Sequence, residues 1–295
     1  MREVIRPLAL ARIALGTVFL VRTTPLVNLL PFPLAAVRGP LFGWPEGGFP
    51  FAWDGVALPD GVRVAACIVR TLAALFFVLG VRARTAGLVA GACGFLALSQ
   101  DPFGFVFTLH TLFLSTMVLA LTDGASDLAL VPDRSLGAAS GARLVHLFVA
   151  SIYAWSALAK AQGEWLSGDT LRALAEAGLL SGPAATLLLA HPGLRALGAW
   201  CIFLTEGALP ALLLAARTRR LGVAVACMMH LGFELGARPD VMGLVMASLL
   251  VTFLSSPAPR RPELSPLRDR ERPGDQDEAR TPATARPRES AGPPG

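Results

Sequence analysis

The chain has 295 residues and a formal net charge of +5, yet only 16% of its residues are charged and 54% are hydrophobic. A soluble domain carries about 25% charged residues. With a mean hydropathy of +0.57, the composition indicates an integral membrane protein and excludes nucleic-acid binding as the use of the basic residues. The four cysteines lie in separate apolar stretches without CxxC spacing, so they predict neither a disulfide framework nor a metal site.

Eight apolar stretches have lengths close to that of a membrane-spanning helix. We expect an all-α bundle of about eight transmembrane helices, at roughly 5–21, 62–80, 84–100, 103–122, 144–161, 196–216, 219–235 and 239–255. The dipeptide Asp101-Pro102 predicts a tight turn between the third and fourth helices. Residues 164–190 contain apolar segments too short to span a bilayer, so we expect interfacial or re-entrant helices there. The transmembrane domain thus covers residues 1–256.

The C-terminal segment, residues 257–295, alternates Pro, Arg, Glu and Asp and has almost no large apolar side chains. Such a composition cannot bury a core, and we expect this segment to be disordered. Orientation follows from the arginines, because they concentrate in the cytoplasmic loops of membrane proteins. With the N-terminus inside, Arg82, Arg84 and Arg217 are cytoplasmic. We therefore expect a multi-pass protein of a bacterial inner membrane, with both termini in the cytoplasm.

Lys160 is the only lysine of the chain, whereas the other 25 basic residues are arginines. A desolvated amine can lose its proton and act as a base, but a guanidinium effectively cannot. Tyr153, the only tyrosine, precedes Lys160 by seven residues and Ser156 precedes it by four, so all three follow one side of a helix. The alternative is a lysine that merely extends its amine to the membrane surface.

The expected orientation brings further ionisable groups to the outer half of the bundle. His110 lies near the outer end of the fourth helix, and His230 and Glu234 lie in the outer half of the seventh. Ionisable groups within a membrane usually face a cavity or one another. We therefore predict a site that brings together Lys160, His110, His230 and Glu234 and is also lined by Tyr153, Ser156 and the interfacial Trp165.

The polar residues of the seventh helix allow a chemical and a structural interpretation. His230, Glu234 and Arg238 are spaced by four residues, so in the chemical interpretation the carboxylate orients the imidazole or neutralises the arginine. In the structural interpretation these polar groups satisfy one another and pack between helices, without chemistry.

Three further charges, Arg12, Arg70 and Glu206, fall near the middle of predicted helices. An unpaired charge at such a depth is very unfavourable. We expect each to meet a partner and Glu206 to pair with one of the arginines, as a structural contact that fixes how the helices pack.

The run Tyr153-x6-Lys160-x4-Trp165-x2-Gly168 resembles the signature of the vitamin K-dependent gamma-carboxylase superfamily. The chain is more closely similar to its bacterial relatives, the horizontally transferred transmembrane (HTTM) domain proteins. Arg12, Glu206 with the following Arg217-Thr-Arg-Arg220, and His230 add to the resemblance, which covers residues 5–256.

This resemblance implies a helical membrane domain that uses oxygen and a reduced quinone, such as menaquinol or vitamin K hydroquinone. A lysine at the position of Lys160 is the base that deprotonates the hydroquinone in that superfamily, and His110 and His230 fall near histidines that assist. No metal is implied.

The chain departs from the carboxylases at Phe233, where they have asparagine, and at Ala159, where they have a second lysine. Their large substrate-binding extramembrane domain has no counterpart in the short tail. Two hypotheses therefore remain: quinol- or lipid-dependent proton abstraction or oxidation, with a peptide or protein as a further substrate or partner; or a non-catalytic membrane component that assists peptide maturation or export, or binds lipid.

Overall fold

The computed structural model describes residues 2–24, 58–99, 107–122, 128–133, 141–178, 180, 182–236 and 241–254. These residues belong to one structural unit, Met1–Ala258. Within them the secondary structure is helical, apart from an isolated parallel bridge between Val81 and Val131. The predicted all-α class is therefore confirmed for the described part of the chain. The Asp101-Pro102 turn, Arg238 and the segment 257–295 lie outside it.

Eleven α-helices follow one another in the described residues. They are α1 (Arg2–Thr23), α2 (Asp60–Leu79), α3 (Ala83–Ser99), α4 (Phe107–Ala120), α5 (Gly141–Lys160), α6 (Gly163–Leu166), α7 (Asp169–Glu176), α8 (Gly182–Ala190), α9 (Pro192–Leu214), α10 (Arg219–Gly236) and α11 (Met242–Leu250). A 3₁₀ turn, Val251–Leu254, extends α11. A helix thus lies at each of the eight predicted positions, and the three short helices α6, α7 and α8 occupy the segment between the fifth and the sixth.

Three helices of the described chain are long and apolar enough to cross a membrane: Gly61–Leu79 within α2, and the whole of α5 and α9. Shorter apolar helices occupy Ala83–Leu98, Phe107–Ala120 and Met242–Leu254. The membrane character of the protein follows from these helices. The count of about eight spans is not confirmed, since α3, α4 and α11 are short, α1 carries charged residues along its length and α10 carries them near both ends.

The packing of α2, α3 and α4 depends on glycines in α3. Gly87 lies against the ring of Phe77, and Gly94 lies against the ring of Phe113. Phe113 is fully buried and also meets Phe19 of α1, with ring centroids 5.2 Å apart. Because lipid is as apolar as a side chain, helices associate in a membrane through such close contacts at small residues.

Placing a side chain at Gly94 tests this packing. A Cβ there would lie 2.6 Å from the nearest ring atom of Phe113, and overpacking of this kind costs about 1–3 kcal/mol. We expect Gly94→Val to lower the thermal unfolding temperature in detergent. The matched control is Gly232→Val in α10, where a Cβ meets no atom within 4 Å. Equal unfolding temperatures for the two variants would contradict the packing argument.

Candidate functional site

The only lysine of the chain forms a close ion pair with a buried carboxylate. Lys160 Nζ lies 2.8 Å from Glu206 Oε2, and the two side chains are 19% and 6% exposed. Lys160 Nζ also donates to Ser156 Oγ at 2.5 Å. Lys160 ends α5 and Glu206 lies within α9, which packs along α5. The ion pair therefore joins two helices that are long enough to span a membrane.

The prediction that Glu206 pairs with an arginine was wrong. Arg12 and Arg70 belong to α1 and α2, and both are fully buried. Arg12 Nη2 donates to the carbonyl of Leu128 at 2.8 Å, and Arg70 Nη2 donates to the carbonyl of Thr23, the last residue of α1, at 2.9 Å. Both arginines thus have partners, as expected, and backbone carbonyls are among them. The neighbour of Glu206 is instead α5, which supplies Lys160.

The direction of the lysine side chain explains why the sequence did not reveal this pair. Side chains on a helix point back toward its N-terminus. The amine of Lys160 therefore lies beside Ser156, one turn closer to the middle of α5. Lys160 reaches Glu206 in α9 although its own Cα is at the end of the helix. A signal was present in the sequence, because Glu206 is the single acidic residue in the stretch 196–216.

Trp165 of α6 lies over the amine, as its predicted position near the site required. The centroid of its ring is 5.1 Å from Lys160 Nζ, a distance at which the ring face attracts a cation. Its indole Nε1 donates to the carbonyl of Ala199 in α9 at 3.3 Å. Trp165 therefore covers one side of the lysine and connects α6 to α9.

The segment α6–α8 is further held to α9 by Arg195. This buried side chain donates from Nη1 to the carbonyls of Leu188 and Leu189 near the end of α8, at 3.2 and 3.1 Å. Gly168, between α6 and α7, has φ +83° and lies against the Cβ and backbone of Arg195. A glycine is required at this position, because other residues rarely adopt this conformation and no space remains for a Cβ.

A second polar contact links α5 to α10. Tyr153 Oη and His230 Nε2 are 3.0 Å apart, and both residues are buried. The contact admits either direction, since the phenol and one ring nitrogen can each donate. Tyr153 lies about 10 Å from Lys160 along α5, at 1.5 Å per residue. The structure therefore places this pair on the same side of α5 as the ion pair.

His110 and Glu234 have neighbours on α3 and α11. His110 of α4 is edge-on to Phe95 of α3, with ring centroids 5.0 Å apart. The grouping of His110 with Lys160 stays a prediction. Glu234 is exposed, and its carboxylate packs against Gly243 of α11, whereas His230, four residues earlier, points into the bundle. The two residues are one helical turn apart on α10, but the side chain of His230 is buried and that of Glu234 is exposed.

An apolar groove of about 440 Å³ runs between α9 and α10. It is lined by Cys201, Ile202, Thr205, Ala224, Val225, Met228 and Met229. Thr205 precedes Glu206 in the chain, and Met229 precedes His230, so the groove follows the two helices that carry the site. The side chains of the described residues form no group of three or more His, Cys, Asp or Glu placed to hold a metal ion.

Comparison with known proteins finds no family model, no curated protein and no solved structure that matches this chain significantly. The function is therefore argued from the site itself: a lysine–glutamate ion pair, a tyrosine–histidine contact, an aromatic cover and an apolar groove.

Two glycines with positive φ provide a test of how α6–α8 is held. Gly168 and Gly178 have φ +83° and +69°, but a Cβ meets neighbouring atoms only at Gly168. Alanine strains the backbone by about 1–2 kcal/mol at either position. We expect Gly168→Ala to accelerate amide hydrogen exchange across 163–190 more than Gly178→Ala, since it also displaces Arg195. Equal exchange in the two variants would show that the contact with Arg195 does not hold the segment.

Proposed function

We propose that this chain is a polytopic membrane protein of the HTTM/vitamin K-dependent gamma-carboxylase-like family that carries out proton abstraction or oxidation on a reduced quinone or another amphiphile. The observation that carries this proposal is the ion pair of Lys160 and Glu206. It puts the only amine side chain of the chain between two apolar helices. Ionisable groups are costly in such surroundings, and those retained there usually have a function.

The identity of the cation supports chemistry at this position. Every other basic residue of the chain is an arginine, and an arginine could pair with Glu206 equally well or better. An amine differs from a guanidinium in that it can release its proton and act as a base. The use of lysine at this one position is therefore consistent with proton transfer.

The surroundings of the lysine fit an amphiphilic ligand. The indole of Trp165 offers a flat apolar surface beside Nζ, which suits an aromatic ring. The groove between α9 and α10 has an apolar lining that suits an alkyl or isoprenoid chain entering from the lipid. A reduced quinone, when bound, supplies a weakly acidic hydroxyl and two reducing equivalents.

We assign roles to the residues as follows. Lys160 Nζ accepts the proton, Ser156 holds the amine in place, and Trp165 limits the access of water. His230, supported by Tyr153, is the second acid–base group, because an imidazole can donate or accept a proton near neutral pH. His110, whose ring lies against Phe95 of α3, keeps its predicted role as a further hydrogen-bonding or acid–base helper.

The membrane arrangement belongs to the same proposal. We infer about eight transmembrane helices in a bacterial inner membrane, with cytoplasmic termini and with α6–α8 at the outer surface. The charges at the two ends of α5 support this orientation. Arg143 begins α5, while Glu164 and Asp169 closely follow its other end.

A second candidate is a non-catalytic membrane component that assists peptide maturation or export, or binds lipid. It is favoured by the position of the ion pair, which connects α5 to α9. A contact of this kind can fix the packing of two helices without any chemistry.

The variant Lys160→Arg separates the two candidates, because arginine keeps the charge and can still pair with Glu206. We expect the purified wild type to convert menaquinol or vitamin K hydroquinone to its epoxide in the presence of oxygen. Turnover should fall by at least about 100-fold in Lys160→Arg, as is typical when an acid–base group is lost. The measurement is product formation in detergent, with thermal unfolding as the control for folding.

The structural candidate gives the opposite pattern. It expects Lys160→Arg to keep whatever function the protein has, whereas Glu206→Ala unfolds it by leaving the lysine without a partner. A well-folded wild type without turnover would contradict the proposed chemistry.

A further inference from the structure

The amine of Lys160 is fully occupied in this structure. An ammonium has three protons to donate, and Ser156 Oγ and Glu206 Oε2 lie 2.5 and 2.8 Å from Nζ. The indole ring of Trp165 lies 5.1 Å away. These are the surroundings of a charged ammonium, because each neighbour stabilises positive charge. A lysine in this state has no lone pair and cannot act as a base.

Glu206 is the neighbour that can change this state. Its Oε2 is buried and has no hydrogen-bond partner besides the ion-pair contact with Lys160. A charged pair loses its advantage over a neutral pair as water is removed, because the cost of desolvating both ions rises. Lys160 is 19% exposed and Glu206 is 6% exposed, so a ligand that covers the lysine desolvates the pair further.

We propose that Glu206 holds Lys160 as an ammonium in the resting site and takes over its proton when an apolar ligand excludes water. This inference rests on the proposed function, with Lys160 as the base. The ammonium N–H bond breaks and an O–H bond forms on Glu206, which leaves a neutral amine and a carboxylic acid. No electrons are transferred. The neutral amine then accepts a proton from a hydroxyl of the ligand, and Glu206 acts through Lys160 as a positioning residue.

No other described group around the amine can take this role. Besides Glu206, the amine contacts Ser156 of α5 and the ring of Trp165 of α6. The hydroxyl of Ser156 and the indole of Trp165 do not hold an additional proton near neutral pH. Tyr153 and His230 contact each other at 3.0 Å, and no described contact joins either of them to the amine. Only the carboxylate of Glu206 both contacts the amine and binds a proton.

The single lysine makes the inference testable without any substrate. An amine acylates only in its neutral form, and Lys160 and the N-terminal amine are the only primary amines of the chain. The labelling rate of Lys160 with an N-hydroxysuccinimide ester, measured by mass spectrometry at neutral pH relative to the N-terminal amine, therefore reports its neutral fraction. We expect Glu206→Gln, which removes the charge but keeps the shape, to label about tenfold faster than wild type or more.

Glu206→Asp distinguishes charge from access, since it shortens the side chain but keeps the carboxylate. We expect its labelling rate to stay within about threefold of the wild-type rate, because the carboxylate that holds the ammonium is kept. Labelling of Glu206→Gln at or below the wild-type rate overturns the proposal. Labelling of Glu206→Asp as fast as Glu206→Gln overturns it as well, because access alone would then explain the change.

A second measurement covers the case in which Glu206→Gln does not fold. Lys160→Met removes the cation, so the buried Glu206 should become a carboxylic acid. Its carbonyl band should appear in the infrared spectrum of Lys160→Met and be absent from that of wild type. An ionised Glu206 in Lys160→Met overturns the inference. Neither measurement uses a quinone, so failure of turnover in the epoxidation assay and failure of this proposal are seen separately.

Discussion

Charge buried among apolar helices requires a partner, and the described bundle satisfies this requirement in two chemically different ways. Arg12, Arg70 and Arg195 donate to backbone carbonyls, whereas Lys160 meets a carboxylate. The carbonyls of Thr23, Leu188 and Leu189 lie at or near the ends of helices, where they lack intrahelical donors and carry partial negative charge. A guanidinium suits these carbonyls, because it stands at the end of a long side chain and has several N–H groups that can donate hydrogen bonds to them.

These two kinds of contact have different consequences. An arginine on a carbonyl cannot change its protonation state, so it fixes where one helix ends against another. Arg70 does this for α1 and α2, and Arg195 does it for α8 and α9. The pair of Lys160 and Glu206 contains two groups that can exchange a proton. This pair therefore connects two helices, as the arginine contacts do. It can also exist as a neutral amine and a carboxylic acid, which an arginine on a carbonyl cannot.

The short helices after α5 complete this arrangement. Gly168 allows the chain to turn closely over Arg195, and this turn brings Trp165 above Lys160. Trp165 thus covers one side of the amine, and Gly168 and Arg195 hold the segment that carries this cover against α9.

The sequence by itself determined the helical class, the positions of the helices and the residues that stand out chemically. Apolar stretches of membrane length predict helices because the backbone must satisfy its own hydrogen bonds in lipid. The sequence also shows directly that Lys160 is the only lysine and that Trp165 follows it by five residues. These features are local, and local patterns are sufficient to predict them.

Only the tertiary structure decided which charges meet. Glu206 was expected to pair with an arginine, because it lies near the middle of its predicted helix as Arg12 and Arg70 do. Lys160 lies at the end of its helix and was therefore not considered as the partner. The pairing depended on α9 lying along α5 and on the lysine side chain pointing back toward Ser156. His110 was likewise grouped with Lys160 by depth, and the structure adds its ring contact with Phe95 of α3. Depth along a helix can be counted in a sequence, but the rotation of a helix and the choice of its neighbour result from packing of the whole bundle.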